Sequence, residues 1–276
     1  MKNPEELKQI VHDKYAAIAE RGTLPDGSSP SAILCCGEGD CSFAEDYTQV
    51  GGYQADADLG LGCGLPTEHA RIQAGDTVVD LGSGAGNDCF VARSLVGESG
   101  QVIGVDMTPA MIDKARKNAK KLGFDNVTFH YGEIEDLPLK DNTADVVVSN
   151  CVLNLVPNKA QAFRETFRIL KPGGHFSISD VVLRGELPEK LRESAELYAG
   201  CVAGALLQEE YLQEVKHAGF QNIQIQKEHQ ITLSDELLAE HLSMEEISRF
   251  KEGDQGIFSI TVYGEKDKDC CGPECC

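Results

Sequence analysis

Short, wholly apolar runs take turns along this chain with longer stretches in which apolar residues recur every three or four positions. From residue 76 the alternation is regular. TVVDL (77–81), QVIGVD (101–106), VTFHY (127–131), ADVVVSN (144–150) and HFSISD (175–180) read as strands, and segments 87–96, 109–122 and 159–170 read as helices between them. Strands that alternate with helices predict a parallel, doubly wound α/β sheet. Ahead of it, residues 3–20 predict an amphipathic helix. Asn3 is its cap, Pro4 fits its first turn, and Glu6 reaches back to the cap. Leu7, Ile10, Val11, Tyr15 and Ile18 form its apolar stripe. A loop rich in Gly, Ser, Pro and Cys (22–41) follows, and GLGCGLP (60–66) leads into the sheet. Beyond Asp180 the rhythm breaks into helices at 188–199 and 208–218 and late strands at 222–226 and 257–264. The chain thus divides into an N-terminal helix and cysteine loop (1–65), an α/β core (66–180), an α+β extension (181–265) and a cysteine-rich tail (266–276).

A length of 276 residues suits one large α/β domain with an extension. Apolar residues make up 41%, enough for a real core. Acidic residues number 45 and basic ones 25, a net charge of −20, which repels a phosphate backbone and argues against a nucleic-acid substrate. It suits a neutral, cationic or small one. No apolar run approaches the roughly 18 residues of a membrane span. The opening MKNPEELKQIVHDKYAAIAE lacks the apolar stretch of an export signal, so a cytoplasmic location is expected. Eleven cysteines in such a chain argue against a disulfide framework, the number being odd and the compartment reducing. Three pairs are vicinal: Cys35-Cys36, Cys270-Cys271 and Cys275-Cys276. Neighbouring thiols offer two soft ligands to one thiophilic centre. Zinc is disfavoured, because no C-x₂-C pair faces a second one.

The first strand runs into LGSGAGND. Gly82, Gly84 and Gly86 permit a tight turn and close backbone approach to a ligand. A dinucleotide fingerprint requires glycine where Asn87 stands. Asp80, just before the turn, disfavours a pyrophosphate and favours an ammonium. Strand two ends in Asp106, where a carboxylate can accept both hydroxyls of a ribose, and Met107 follows it. Together with GEIEDLP (132–138) and RILKPGG before strand five, these motifs resemble the class I S-adenosylmethionine-dependent methyltransferases over about residues 65–180. The resemblance implies a Rossmann-like fold and S-adenosylmethionine as cofactor. Asp80, Gly82, Gly84, Asp106 and Met107 match its cofactor site, with Ile134 and Glu135 flanking the adenine and Asn150 near the methionine end.

Three further cysteines each sit in a motif of their own. Cys63 lies in GLGCGLP, between glycines that leave room for a bulky centre. Cys151 follows strand four in SNCVLNL, where strand ends face the ligand crevice. Cys201 lies in LYAGCVAGAL among small neighbours, in the extension. These motifs resemble arsenite methyltransferases, and the likeness covers nearly the whole chain. It implies methyl transfer to thiolate-bound trivalent arsenic, with Cys63, Cys151 and Cys201 as arsenic ligands and arsenite and methylarsenite as substrates. It also implies a thiol reductant or thioredoxin-type partner, and an N-terminal cysteine taking part. Cys35, Cys36 and Cys41 compete for that place, with Cys36 favoured. Cys89 reads as core, and Cys270, Cys271, Cys275 and Cys276 as an arsenite-capturing tail. Two rival readings stand beside this one: a small-organic-molecule methyltransferase of the quinone or sterol type, and a thiol-based soft-metal sequestration protein.

Overall fold

In the computed structural model the described residues are 4–21, 45–185, 188–192, 202, 204–233, 235–252 and 256–268. Helix α1 (Pro4–Arg21) and the short α2 (Pro66–His69) precede the sheet. Then come β1 (Thr77–Leu81), α3 (Asn87–Val96), β2 (Gln101–Asp106), α4 (Pro109–Leu122), β3 (Val127–Tyr131) and β4 (Ala144–Asn150). A 3₁₀ turn (Leu153–Leu155) leads to α5 (Lys159–Ile169) and β5 (Leu170–Arg184). The last elements are α6 (Glu189–Arg192), α7 (Gln208–His217), β6 (Gln221–Ile231), α8 (Asp235–His241), α9 (Met244–Glu252) and β7 (Gly256–Glu265).

All seven strands form one sheet in the order β3-β2-β1-β4-β5-β7-β6. The first five run parallel, and β7 is antiparallel to both of its neighbours. Strand order reverses between β1 and β4, so a crevice opens at their carboxyl ends. The expected Rossmann-like α/β fold is the one observed. The strands read as apolar runs because both faces are covered. Val78, Val146 and Val148 point one way, into a core with Cys89, Phe90 and Val96 of α3 and Ile112 and Ala115 of α4. Val79, Leu81 and Val147 point the other way, against Phe163 of α5 and Tyr211 and Val215 of α7. Phe163 meets Tyr211 edge to face at 5.3 Å between ring centroids.

The last third of the chain departs from the sequence reading, and β6 runs on to Ile231 rather than ending at 226. β5 runs on to Arg184 because Val181, Val182 and Leu183 continue the ladder with β7. α8 and α9 were not expected; Leu238, Leu242 and Ile247 bury them in a second core with β5 and β7. The 188–199 helix is described only at Glu189–Arg192, and Asn3, the expected cap of α1, lies outside the described residues. No helix among the described residues is long and apolar enough to cross a membrane.

Candidate active site

A cleft of about 1190 Å³, open to solvent, lies at the carboxyl ends of β1, β2 and β4. The backbone after β1 forms its floor. Gly82 and Ser83 donate their N–H groups to Val105 O at 2.8 and 3.0 Å, and Gly84 N–H donates to Asp106 Oδ2 at 2.9 Å. Gly82 has φ +72°, and a Cβ there would collide with Val152, so only glycine lets the chain turn under that side chain. The other Asp106 oxygen accepts Thr108 N–H at 2.8 Å. One carboxylate therefore ties the glycine turn to the start of α4.

The cleft is acidic. Among the described residues Asp58, Asp80, Asp88, Asp106, Glu45, Glu133 and Glu135 line it, against one lysine, Lys8. Lys8 is already engaged, 2.5 Å from Glu133 and 2.9 Å from Glu135, and so straps α1 across the mouth. Burial pushes the Asp80 carboxyl well up, and the nearby Asp88 pushes it further. Burial likewise raises Asp88, to about 6, although hydrogen bonds from Tyr47 and Asn150 pull the other way. Asp106 is raised by burial against the pull of the Thr108 and Gly84 N–H groups. Ser83 Oγ and Asn87 Oδ1 are buried in the lining without a partner among the described residues. Carboxylates that outnumber the cations around them, with polar atoms left to a ligand, suit one that is cationic and rich in hydrogen-bonding groups. They fit a sulfonium and ammonium, and they reject a pyrophosphate.

At one end the cleft meets Cys151. This residue has φ +60°, a left-handed conformation uncommon for a side chain other than glycine, and its N–H is held by Ser179 O at 2.8 Å. Cys63 is fully buried, and its N–H donates to Asn150 Oδ1 at 3.0 Å. Ser259 Oγ donates to Cys63 O from β7, and Ser177 Oγ donates to Pro66 O at 2.9 Å, seating the loop on the sheet. Cys63 and Cys151 share one apolar cluster with Val11 of α1, Val181 and Leu183 of β5, Leu238, Leu242, Ile247 and Val202. Val202 directly follows Cys201 in the chain. Beneath the cysteines Tyr211 and Asp180 are fully buried. Burial lifts the Asp180 carboxyl to about 7 and the Tyr211 hydroxyl well up, the latter aided by the charges of Asp180, Cys63 and Cys151.

A family profile described as a methyltransferase domain matches residues 72–219. The chain belongs to the methyltransferase domain family. An arsenite methyltransferase of Halobacterium salinarum is 44% identical over 237 residues, covering 81% of this chain and 60% of that protein. One of Aquipseudomonas alcaligenes is 42% identical over 188 residues, covering 66% of this chain and 54% of that one. The chain thus spans little more than half the length of these curated relatives. The solved structure of CrArsM, an arsenic(III) S-adenosylmethionine methyltransferase from Chlamydomonas reinhardtii, is 37% identical with a TM-score of 0.64. That match covers 75% of this chain and 68% of CrArsM.

In this methyltransferase domain every residue singled out for the cofactor lines the cleft: Asp80, Gly82, Gly84, Asp106, Met107, Ile134, Glu135 and Asn150. Cys151 lines it too, and Cys63 packs beside it. Cys201, Cys35, Cys36, Cys41 and the four tail cysteines lie outside the described residues. Among those described, no three His, Cys, Asp or Glu side chains gather as a metal site. Cys89 is core, and its Sγ also donates to Asp80 Oδ2 at 3.2 Å. The glycines beside Cys63 serve a different end from the one expected. A Cβ on Gly62 would lie 2.5 Å from Asn150 Nδ2 and one on Gly64 2.5 Å from Ser179 Oγ, so they let the loop seat on the sheet.

The sequence reading passed over Lys8, Tyr47 and Asp88. Lys8 shares a helix face with Val11, Tyr15 and Ile18, a signal that the apolar stripe alone concealed. Asp88 reads as an ordinary acid in a helix's first turn. Tyr47 stands in an irregular stretch where periodicity carries no information.

Proposed function

We propose that this protein is an arsenite methyltransferase that transfers the methyl group of S-adenosylmethionine to thiolate-bound trivalent arsenic. One observation carries the reading: two cysteines from distant motifs, Cys63 and Cys151, meet in one buried apolar cluster beside an acidic, cation-suited cleft. Cys201 is the third ligand, and its neighbour Val202 is buried in that same cluster.

Three cysteine thiols condense with arsenous acid, each thiol proton leaving with an arsenic hydroxyl as water. The product is a pyramidal arsenic trithiolate with its lone pair outward. Thiolates are the soft ligands that trivalent arsenic prefers. Arsenic carries no proton to remove, so the site needs ligands and positioning rather than a general base. When bound, S-adenosylmethionine supplies a methyl on a positively charged sulfur, which the arsenic lone pair takes. Asp80 and Asp88 would provide negative charge for its cationic groups, Asp106 would accept its ribose hydroxyls, Ile134 and Glu135 would flank its adenine, and Asn150 would lie at its methionine end. Met107 lines the adenine side. The apolar cover from the 181–265 segment keeps water from the reacting centre.

Transfer leaves arsenic formally pentavalent. Two thiols return it to the trivalent state by forming one disulfide, which a small-thiol reductant or thioredoxin-type partner reopens. Cys36 in the N-terminal loop takes part with the arsenic-binding cysteines, the pairs Cys270-Cys271 and Cys275-Cys276 act as capture thiols, and the cytoplasm supplies the reducing setting. The test is an incubation with arsenite, excess thiol and methyl-labelled S-adenosylmethionine, with arsenic species separated. Labelled methylarsenicals are expected; label that never reaches arsenic defeats the reading.

A further inference from the structure

Asn150 commits both ends of its side-chain amide to the loop that carries Cys63. Its Oδ1 accepts Cys63 N–H at 3.0 Å, and its Nδ2 donates to Gly64 O at 2.8 Å, so the cysteine is gripped on both sides. The same Nδ2 lies 2.6 Å from Tyr47 Oη and 3.2 Å from Asp88 Oδ2. Tyr47 Oη is 2.9 and 3.0 Å from the two Asp88 carboxylate oxygens. Tyr47 and Asp88 are both buried.

Tyr47 Oη also lies 3.2 Å from Gly64 O, and its shorter contacts to Asp88 make the carboxylate the favoured acceptor. An ionised carboxylate only accepts, so Asp88 takes the single hydroxyl proton of Tyr47. The tyrosine oxygen then presents a lone pair to Asn150, which must turn its NH₂ toward it. The amide oxygen is thereby aimed at Cys63 N–H. The backbone asks for the same orientation: a reversed amide would set its oxygen against Gly64 O and Asp88 and its NH₂ against Cys63 N–H, leaving buried polar groups unpaired. Gly62, whose Cβ position lies 2.5 Å from Asn150 Nδ2, allows the close seating this needs.

We propose that Tyr47 and Asp88 are positioning residues that hold the Asn150 amide in place from behind and so seat Cys63 beside Cys151. This makes them determinants of arsenite capture in preference to monomethylarsenite. The inference rests on the arsenic reading above. Arsenite offers three valences to thiolates and needs Cys63; the monomethyl species offers two and is held by Cys151 and Cys201. Loosening Cys63 therefore acts on the first substrate and spares the second.

The experiment is calorimetric titration of wild type and Tyr47→Phe with arsenite and with monomethylarsenite, without any methyl donor. Phenylalanine keeps the buried ring and removes the one hydroxyl. The arsenite Kd should rise about tenfold, the equivalent of about 1.4 kcal/mol and within the range of one net buried hydrogen bond. The monomethylarsenite Kd should stay within about twofold. If the variant loses its cooperative thermal transition, Asp88→Ala carries the same expectation, because the tyrosine proton is then free to turn. An unchanged arsenite Kd, or an equal rise for both substrates, overturns the proposal while leaving the arsenic reading intact. Failure of wild type to bind arsenite overturns the arsenic reading, and the proposal with it.

Discussion

Replacing Asp106 by alanine probes the cofactor side of the cleft. Its carboxylate accepts Gly84 N–H at 2.9 Å and Thr108 N–H at 2.8 Å and lines the cleft, and it is proposed to accept two ribose hydroxyls. A hydrogen bond to a charged group contributes about 1.5–3 kcal/mol, so losing two to the ribose removes about 3–6 kcal/mol of binding. At 1.4 kcal/mol per factor of ten, that is roughly a 10²- to 10⁴-fold loss of affinity. Burial disfavours this carboxylate, and removing it relieves that cost, which sets the expectation near the lower end, about 100-fold. The two freed N–H groups border an open cleft where water replaces their partner, so thermal stability should fall only slightly. Isothermal titration with S-adenosylmethionine and with S-adenosylhomocysteine measures the loss, and a thermal melt checks the fold. A folded variant that binds within about threefold of wild type would refute the assignment of Asp106 to the ribose.

Gly82→Ala should cost more than about 2 kcal/mol, combining left-handed strain with the collision against Val152, and a melt of the ligand-free variant checks it. Asp88 at about 6 and Asp180 at about 7 stand above their ordinary value of 3.8, so the fold is favoured while they hold protons and loses that stabilisation as pH rises through these values. Glu165 and Glu265 are depressed, and their opposite contribution is complete by about pH 5. The melting temperature of the ligand-free protein should therefore fall from about pH 5 to about pH 7.5 in scanning calorimetry; a rise would contradict the burial of uncompensated acids. Deleting residues 269–276 should slow turnover at scarce arsenite and leave it nearly intact at saturation; its loss at saturation would place the tail cysteines in the site itself.

The parallel core was legible because β1 and β4 are apolar enough to be buried on both faces and the helices α3, α4 and α5 keep their period. The glycine turn and Asp106 were legible because a backbone turn and a strand end carry their chemistry locally. The end of the chain was harder. β5 continues past Asp180 because β7, seventy-odd residues later, offers it a ladder, and no local pattern reveals that pairing. Cysteine motifs named Cys63 and Cys151, but the left-handed backbone of Cys151 and the amide of Asn150 that holds Cys63 exist only in the folded chain. Tyr47 and Asp88 belong to the same class: their role comes from which donor meets which acceptor, and spacing does not encode it.

Buried thiolates are proposed to carry arsenic to the methyl donor, and Cys151→Ser removes the one beside the cleft. Serine keeps the shape and exchanges a soft ligand for a hard hydroxyl. In an assay with labelled S-adenosylmethionine and excess thiol, the variant should methylate neither arsenite nor monomethylarsenite. Cys63→Ser should lose only the first activity, and Cys89→Ser should behave nearly as wild type. Methylation of arsenite by folded Cys151→Ser at a near-normal rate would contradict the account and return a small organic molecule as the better candidate for the methyl acceptor.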